Sequence, residues 1–366
     1  MRVPCINTIR NWEQKSGFHQ LKKSGSLKDE YVLIIDESFN IGRQSLLLIL
    51  GVNLSKYQFD SSLGHQDVEV LAMGVKSSWK SCDIEKLIHS IEQRDYRIVY
   101  SCSDGGNNIV RALNDKEIPR IYDCTHALSL IVKKAYEKQE LFIDFQKKYA
   151  LFNRQNYMGQ DRLMCPPKLR GKSRFLNIYP MAEWAQKWLG HLQHLENLNR
   201  TETEDRIYKK LLWLKDYKAL IVELVQVSKL LKIVFKILKN KGLNKATIES
   251  VSKEVEWAIC PIFLRKGILD YLDQNSQLLS DYQGLICCSD IIESIFGKFK
   301  NNQKRNPERG MTIGCLDLVN YGQKIDELTL KKAMEETKII DLKKWRDENN
   351  LQSFNNKRQK LVKKWG

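Results

Sequence analysis

The stretch Tyr31-Val32-Leu33-Ile34-Ile35-Asp36 decides how this chain folds. A compact, largely β-branched run that ends in a carboxylate predicts a buried strand rather than a helix. Downstream, Asn40-Ile41-Gly42 reads as a turn and Gln44 to Val52 (QSLLLILGV) as the returning arm of a hairpin. Val68 to Val75 is a third candidate strand. The period then changes: Ile84, Leu87, Ile88 and Ile91 fall at helical spacing within Asp83 to Arg94, with Asp83 as the expected N-cap. Arg97 to Cys102 predicts a fourth strand, Ser103 to Gly106 a turn, Asn107 to Asn114 a helix, Arg120 to Tyr122 a strand opened by Pro119, and His126 to Lys138 a helix. The order β-β-β-α-β-α-β-α builds a mixed sheet with helices on both faces.

Outward from this core the texture is helical. Thr8 to Lys15 has a helical pattern that is expected to stop at Gly17 and is too short to be a domain. From about residue 140 the chain stays helical, with long apolar-and-basic tracts at Asp205 to Lys241 and Lys245 to Ala258. The Pro- and Gly-bearing basic segment Pro166 to Arg174 interrupts them, and Asp290 to Asn302 forms a last helix behind Ser289 as N-cap.

Composition sets the class of partner. The 366 residues carry 60 Lys+Arg against 44 Asp+Glu, a net charge of +16. With 42% hydrophobic and 28% charged residues the chain is neither disordered nor collagen-like, and the excess of positive charge points to a polyanion. The nine cysteines include no C-x-x-C pair, which argues against a disulfide framework and for a reducing, cytoplasmic and nucleoid-associated setting. Charges recur every few residues through Ala219 to Leu238, so no membrane span is expected.

Two acids stand where a sheet gathers ligands, at the ends of strands: Asp36 after the first and Asp104 after the fourth. Glu293 adds a third on the last helix, where Glu293, Gly297 and Lys300 share a stripe beside the apolar face of Ile292, Ile295, Phe296 and Phe299. Three carboxylates around two Mg²⁺ ions suit in-line phosphoryl transfer. Asp36-Glu37 leaves open which of the two acids faces the metal, and the apolar strand favours Asp36.

The element order, with acids at those three places, resembles the ribonuclease-H-like fold of the DDE transposases. The blocks Leu33-Ile34-Ile35-Asp36-Glu37-Ser38, Ser101-Cys102-Ser103-Asp104-Gly105-Gly106 and Ser289 to Lys300 (SDIIESIFGKFK) look like the catalytic blocks of bacterial insertion-sequence transposases. Asp123-Cys124-Thr125-His126 looks like the D-x-x-H motif of hAT- and Mutator-like members. The resemblance covers roughly residues 25–320.

It implies an α/β, ribonuclease-H-like mixed sheet with a large all-α insertion before the last catalytic helix. It also implies divergent segment roles: 1–24 as the remnant of an N-terminal DNA-binding region, 25–139 and 286–325 as the two parts of the core, 140–285 as the insertion, and 326–366 as a basic tail. The implied activity is cleavage and strand transfer at transposon ends, with two Mg²⁺ (or Mn²⁺) ions on Asp36, Asp104 and Glu293 and with His126 near the scissile phosphate. Double-stranded DNA, both ends and target, is the implied partner of a homodimer or higher oligomer. Lys168, Arg170, Lys172, Arg174, Lys298, Lys300, Lys304 and Arg305 are the expected phosphate contacts, joined by the tail from Lys343, which holds eight basic and two acidic residues. The competing expectation is a catalytically inactive or domesticated DNA-binding protein of the same fold. A zinc site on Cys124, His126, Cys287 and Cys288 lacks the usual ligand spacing. Trp184 and Trp188, at i and i+4, read as core rather than as a base-stacking platform.

Overall fold

A computed structural model describes residues 3–41, 44–169, 178–196, 199–280, 282–304, 311–322, 325–351, 358–359 and 362–363. In chain order the elements are α1 (Ile6–Lys22), β1 (Glu30–Ile41), β2 (Gln44–Asn53), β3 (Glu69–Lys76), α2 (Ser81–Glu92), β4 (Arg97–Ser103), α3 (Asn107–Asp115), β5 (Arg120–Tyr122) and α4 (Cys124–Tyr136). There follow α5 (Glu140–Asn156), α6 (Ile178–Glu196), α7 (Glu202–Leu211), α8 (Lys218–Lys241), α9 (Lys245–Trp257), α10 (Ile262–Ser276), α11 (Asp290–Lys304), α12 (Glu327–Glu336) and α13 (Ile339–Glu348).

The five strands form one mixed sheet in the order β3-β2-β1-β4-β5. β1–β2 and β2–β3 pair antiparallel, whereas β1–β4 and β4–β5 pair parallel. This is the ribonuclease-H-like arrangement: a three-stranded meander extended by two parallel strands through crossover helices.

Side chains alternate across a strand, so β1 has two different faces. Tyr31, Leu33 and Ile35 join Leu47 and Ile49 of β2 and pack beneath Ile84, Ile88 and Ile91 of α2 and Ile109, Ala112 and Leu113 of α3. Each such buried side chain contributes roughly 1.5–3 kcal/mol. The same spacing that places Ile84, Ile88 and Ile91 on one stripe makes α2 a helix at all. Val32, Ile34 and Asp36 point to the other face.

Several local expectations change. β1 does not end at Asp36; it runs to Ile41, because β2 goes on pairing with it through Ser38 and again at Ile41. Asp83 lies one turn inside α2 rather than capping it, and its carboxylate accepts a hydrogen bond from the Lys80 N–H of the true N-cap. α1 does not stop at Gly17. A Cβ there would lie 2.2 Å from the Leu316 carbonyl oxygen, so this glycine is the point where the 3₁₀ helix Ile313–Tyr321 meets α1.

The chain divides into two compact units, one of residues 1–123, 239–242 and 286–366, the other of 124–238 and 243–285. The second, helical unit begins at Cys124. Within the first unit α12 and α13 pack on α1. The second unit is built on an aromatic cluster in which Trp184 and Trp213 approach Phe152 at 5.8 and 6.1 Å. Trp184 is buried and its Nε1–H donates to the Met164 carbonyl at 3.0 Å, which makes it core. Among the described residues no helix is long and apolar enough to cross a membrane.

Candidate active site

The register of β1 and β4 places the first two acids. Past a bulge between Tyr31 and Val32, the pairs run Val32 with Tyr100, Leu33 with Ser101, Ile34 with Cys102 and Ile35 with Ser103. Asp36 and Asp104 are the residues that directly follow the last of these pairs, Asp104 just past the end of β4. Equal register on neighbouring parallel strands puts paired residues on the same face, with strands about 4.8 Å apart.

Local hydrogen bonds orient both carboxylates. Asp36 Oδ1 accepts from the Glu37 N–H at 2.7 Å. Asp104 Oδ1 accepts from the Gly106 N–H at 2.9 Å, a turn that leads straight into α3. Arg120 on β5 donates to the Asp104 carbonyl oxygen at 3.3 Å and lies 5.2 Å above the Tyr122 ring. Burial raises the pKa of the Tyr122 hydroxyl above the ordinary tyrosine value, and the negative Asp104 adds to this, so it stays protonated. Glu37 points to the opposite face of β1, where its Oε1 accepts from Ser45 Oγ at 2.5 Å. By alternation Asp36 and Glu37 lie on opposite faces of β1.

The helix that carries the third acid packs on this sheet. Tyr100 lies on the Asp36–Asp104 side of β4, and its hydroxyl oxygen accepts the Ile286 N–H at 2.7 Å. The segment leading into α11 therefore lies over this face, and α11 packs against β1. Ile291, Ile292, Ile295, Phe296 and Phe299 form its buried side, while Glu293 is exposed. Asp123, fully buried after β5, accepts the Ser289 N–H on its Oδ1 at 2.7 Å. Asp290, the first residue of α11, is ion-paired with Lys239.

Two groups here escaped sequence reading. His65, in the short 3₁₀ turn before β3, meets the Tyr321 carbonyl through Nδ1 at 2.9 Å and Ser294 Oγ through Nε2 at 3.4 Å. With Nδ1 carrying the proton toward that carbonyl, Nε2 accepts from the serine next to Glu293. Nothing in its flanking residues marks it. Asp123 was legible only as the first letter of the D-x-x-H motif, and the signal for its role is a carboxylate placed between a strand and a helix.

The remaining predicted residues are distributed as follows. His126 is half-buried in the first turn of α4, in the helical unit. Lys298 is exposed, with its ammonium 5.8 Å from the Tyr321 ring centre. Lys300 is half-buried and 5.7 Å from the Phe296 ring centre. Lys168 is exposed in the helical unit. Lys304 ends α11, and Arg170, Lys172, Arg174 and Arg305 lie outside the described residues.

The carboxylates of Asp36, Asp104 and Glu293 do not all lie within 4.8 Å of one another. The donor set is nonetheless all oxygen, as hard Mg²⁺ or Mn²⁺ requires, and Mg²⁺ is commonly held by one or two carboxylates completed by water and substrate phosphate. Asp36 on β1 and Asp104 in the turn directly after β4 offer carboxylates of that kind.

The sequence matches no protein-family model and no curated protein. Among solved structures, the chain is similar to the Drosophila P element transposase strand transfer complex, at 11% identity and a TM-score of 0.45, over 89% of this chain and 87% of that one.

Proposed function

We propose that this chain is a DDE-type transposase that cuts and joins DNA by in-line phosphoryl transfer, with Asp36, Asp104 and Glu293 as its acidic residues. The observation that supports this reading best is the β1–β4 register, whose last pair, Ile35 with Ser103, directly precedes Asp36 and Asp104 in a sheet that α11 packs against. Mg²⁺ or Mn²⁺ on these three residues would neutralise charge on the scissile phosphate and make the attacking oxygen more acidic. Asp36 supplies a ligand from β1 and Asp104 one from the turn after β4, and Glu293 supplies the third from the exposed surface of α11. His126 takes the proton-handling role near the scissile phosphate. Lys298 and Lys300 contact backbone phosphates, and Lys168, Arg170, Lys172, Arg174, Lys304 and Arg305 are further phosphate contacts, in a homodimeric or larger assembly on DNA.

Incubation with Mg²⁺ and DNA carrying the sequences that flank the gene tests the proposal. Nicks and strand-transfer joints are expected, and Asp104→Ala should lower them by about 10³-fold or more, as loss of a metal ligand does. Cleavage undiminished in Asp104→Ala overturns it. The spread of the three carboxylates beyond one tight cluster favours a second reading, a non-catalytic DNA-binding protein of this fold. That reading requires salt-dependent DNA binding with no metal-dependent cleavage by the wild-type chain.

A further inference from the structure

The buried carboxylate of Asp123 is not among the acids assigned above, yet it is the joint between two of them. Its own N–H donates to the Ser103 carbonyl at 3.0 Å, which prolongs the β4–β5 ladder by one residue and ties Asp123 to the residue immediately before Asp104. Its side-chain Oδ1 accepts the Ser289 N–H at 2.7 Å, immediately before α11. A continuous path therefore runs from Asp104 through Ser103, Asp123 and Ser289 to Glu293, which stands one turn into the helix. Asp123 is 0% exposed, so an ionised side chain there is costly unless it is matched by donors and positive potential. The first turn of a helix offers both, in unsatisfied N–H groups and the positive end of the helix dipole.

We infer that Asp123 is a positioning residue: it sets the start of α11 relative to β4 and so holds Glu293 in register with Asp104. The Tyr100 hydroxyl contact to Ile286 and the Lys239–Asp290 ion pair fasten the segments on either side of Ser289, and the Asp123 contact lies between them, at the entry to α11. A helix advances 1.5 Å per residue along a stiff rod, so a slip at Ser289 is transmitted undamped to Glu293. Displacements of about 1 Å at reacting groups are known to cost about 100-fold in rate.

This inference rests on the proposed active site, and the test separates the two. Wild type, Asp123→Ala, Asp123→Asn and Glu293→Gln are compared in three measurements: nicking of supercoiled plasmid with Mn²⁺, Mn²⁺ affinity of the free protein by calorimetry, and amide exchange of the segment 286–296 by mass spectrometry. Asparagine keeps an oxygen acceptor for the Ser289 N–H, whereas alanine does not. Asp123→Ala should lose about 100-fold in nicking, bind Mn²⁺ more weakly and exchange faster only in segment 286–296, with plasmid affinity and the rest of the exchange map unchanged. Asp123→Asn should stay within about 5-fold of wild type, which also guards against a folding defect. Asp123→Ala with wild-type exchange and Mn²⁺ affinity overturns the inference. So does an Asp123→Asn that keeps wild-type exchange but nicks as poorly as alanine, because the carboxylate would then act by its charge. Wild-type protein that does not nick, or a Glu293→Gln that nicks normally, overturns the parent reading, and the exchange and affinity arms still decide the anchor.

Discussion

The two faces of one sheet solve opposite problems. Beneath α2 and α3, the face of Leu33, Ile35, Leu47 and Ile49 is closed and apolar, and its business is cohesion. The face of Ile34, Asp36, Tyr100 and Asp104 is apolar only up to the end of the β1–β4 pairing and then turns acidic. Its cover, α11, is held by polar contacts at its start, through Tyr100, Asp123 and Lys239. Cohesion needs only matching volume, whereas a site needs particular groups at particular places, and hydrogen bonds deliver direction that packing lacks.

The sharpest way to break this contrast is to exchange the two kinds of damage. Asp36→Asn should abolish metal-dependent cleavage, by about 10³-fold or more, while the melting temperature stays close to wild type. Leu33→Ala, one layer away on the closed face, should lose about 2–5 kcal/mol of stability, measured by urea unfolding. If Asp36→Asn destabilises as much as Leu33→Ala, the division between a cohesive and a working face fails.

A smaller effect concerns the layer outside α11. The 3₁₀ helix Ile313–Tyr321 packs on both α11 and α1. Within it, burial pushes the Asp317 carboxyl up to about 7; Glu13 of α1 adds repulsion, and Arg10 partly opposes it. A carboxyl whose folded pKa is raised favours the folded state when protonated. That contribution is complete below about pH 4 and is lost as the pH rises through about 7. Thermal stability should therefore decline across that window, and Asp317→Asn should flatten the profile; an unchanged slope in the variant would show that other groups set it.

The smallest effect is expected from Ser103 on the closed face. Its hydroxyl is buried with no hydrogen-bond partner, as is that of Ser101. Ser103→Ala should change stability by less than about 1 kcal/mol, in either direction, and leave cleavage intact. A large loss would mean that the closed face also carries polar organisation, which would blur the contrast.

The elements themselves were readable because short-range patterns dictate them. Gln44 to Val52, Arg97 to Cys102 and Arg120 to Tyr122 coincide with β2, β4 and β5 to within a residue, since apolar runs bounded by turns leave little choice. Boundaries that depend on distant partners were not readable. Gly17 interrupts nothing, because what it meets is Leu316, far along the chain. The onset of the helical unit at Cys124 follows from which unit α4 packs in, not from its own composition.

Asp36, Asp104 and Glu293 were visible in sequence as acids at strand ends and on a late amphipathic helix. How Asp36 and Asp104 are set relative to each other was not visible. It depends on a bulge after Tyr31 that shifts the β1–β4 register by one residue. His65 and Asp123 could not be weighed from sequence for a related reason: each acts on α11 through contacts more than 160 residues away in the chain.

By itself, then, the sequence determined strand and helix identity, the acidic and basic inventory, and a net charge of +16 that calls for a polyanion. Those follow from nearest-neighbour periodicity and from counting. Only the tertiary structure decided which acids share a face, which glutamate turns away to Ser45, and what holds the start of α11. Register, burial and long-range hydrogen bonds are properties of pairs brought together by folding, and no local stretch of chain encodes a pair alone.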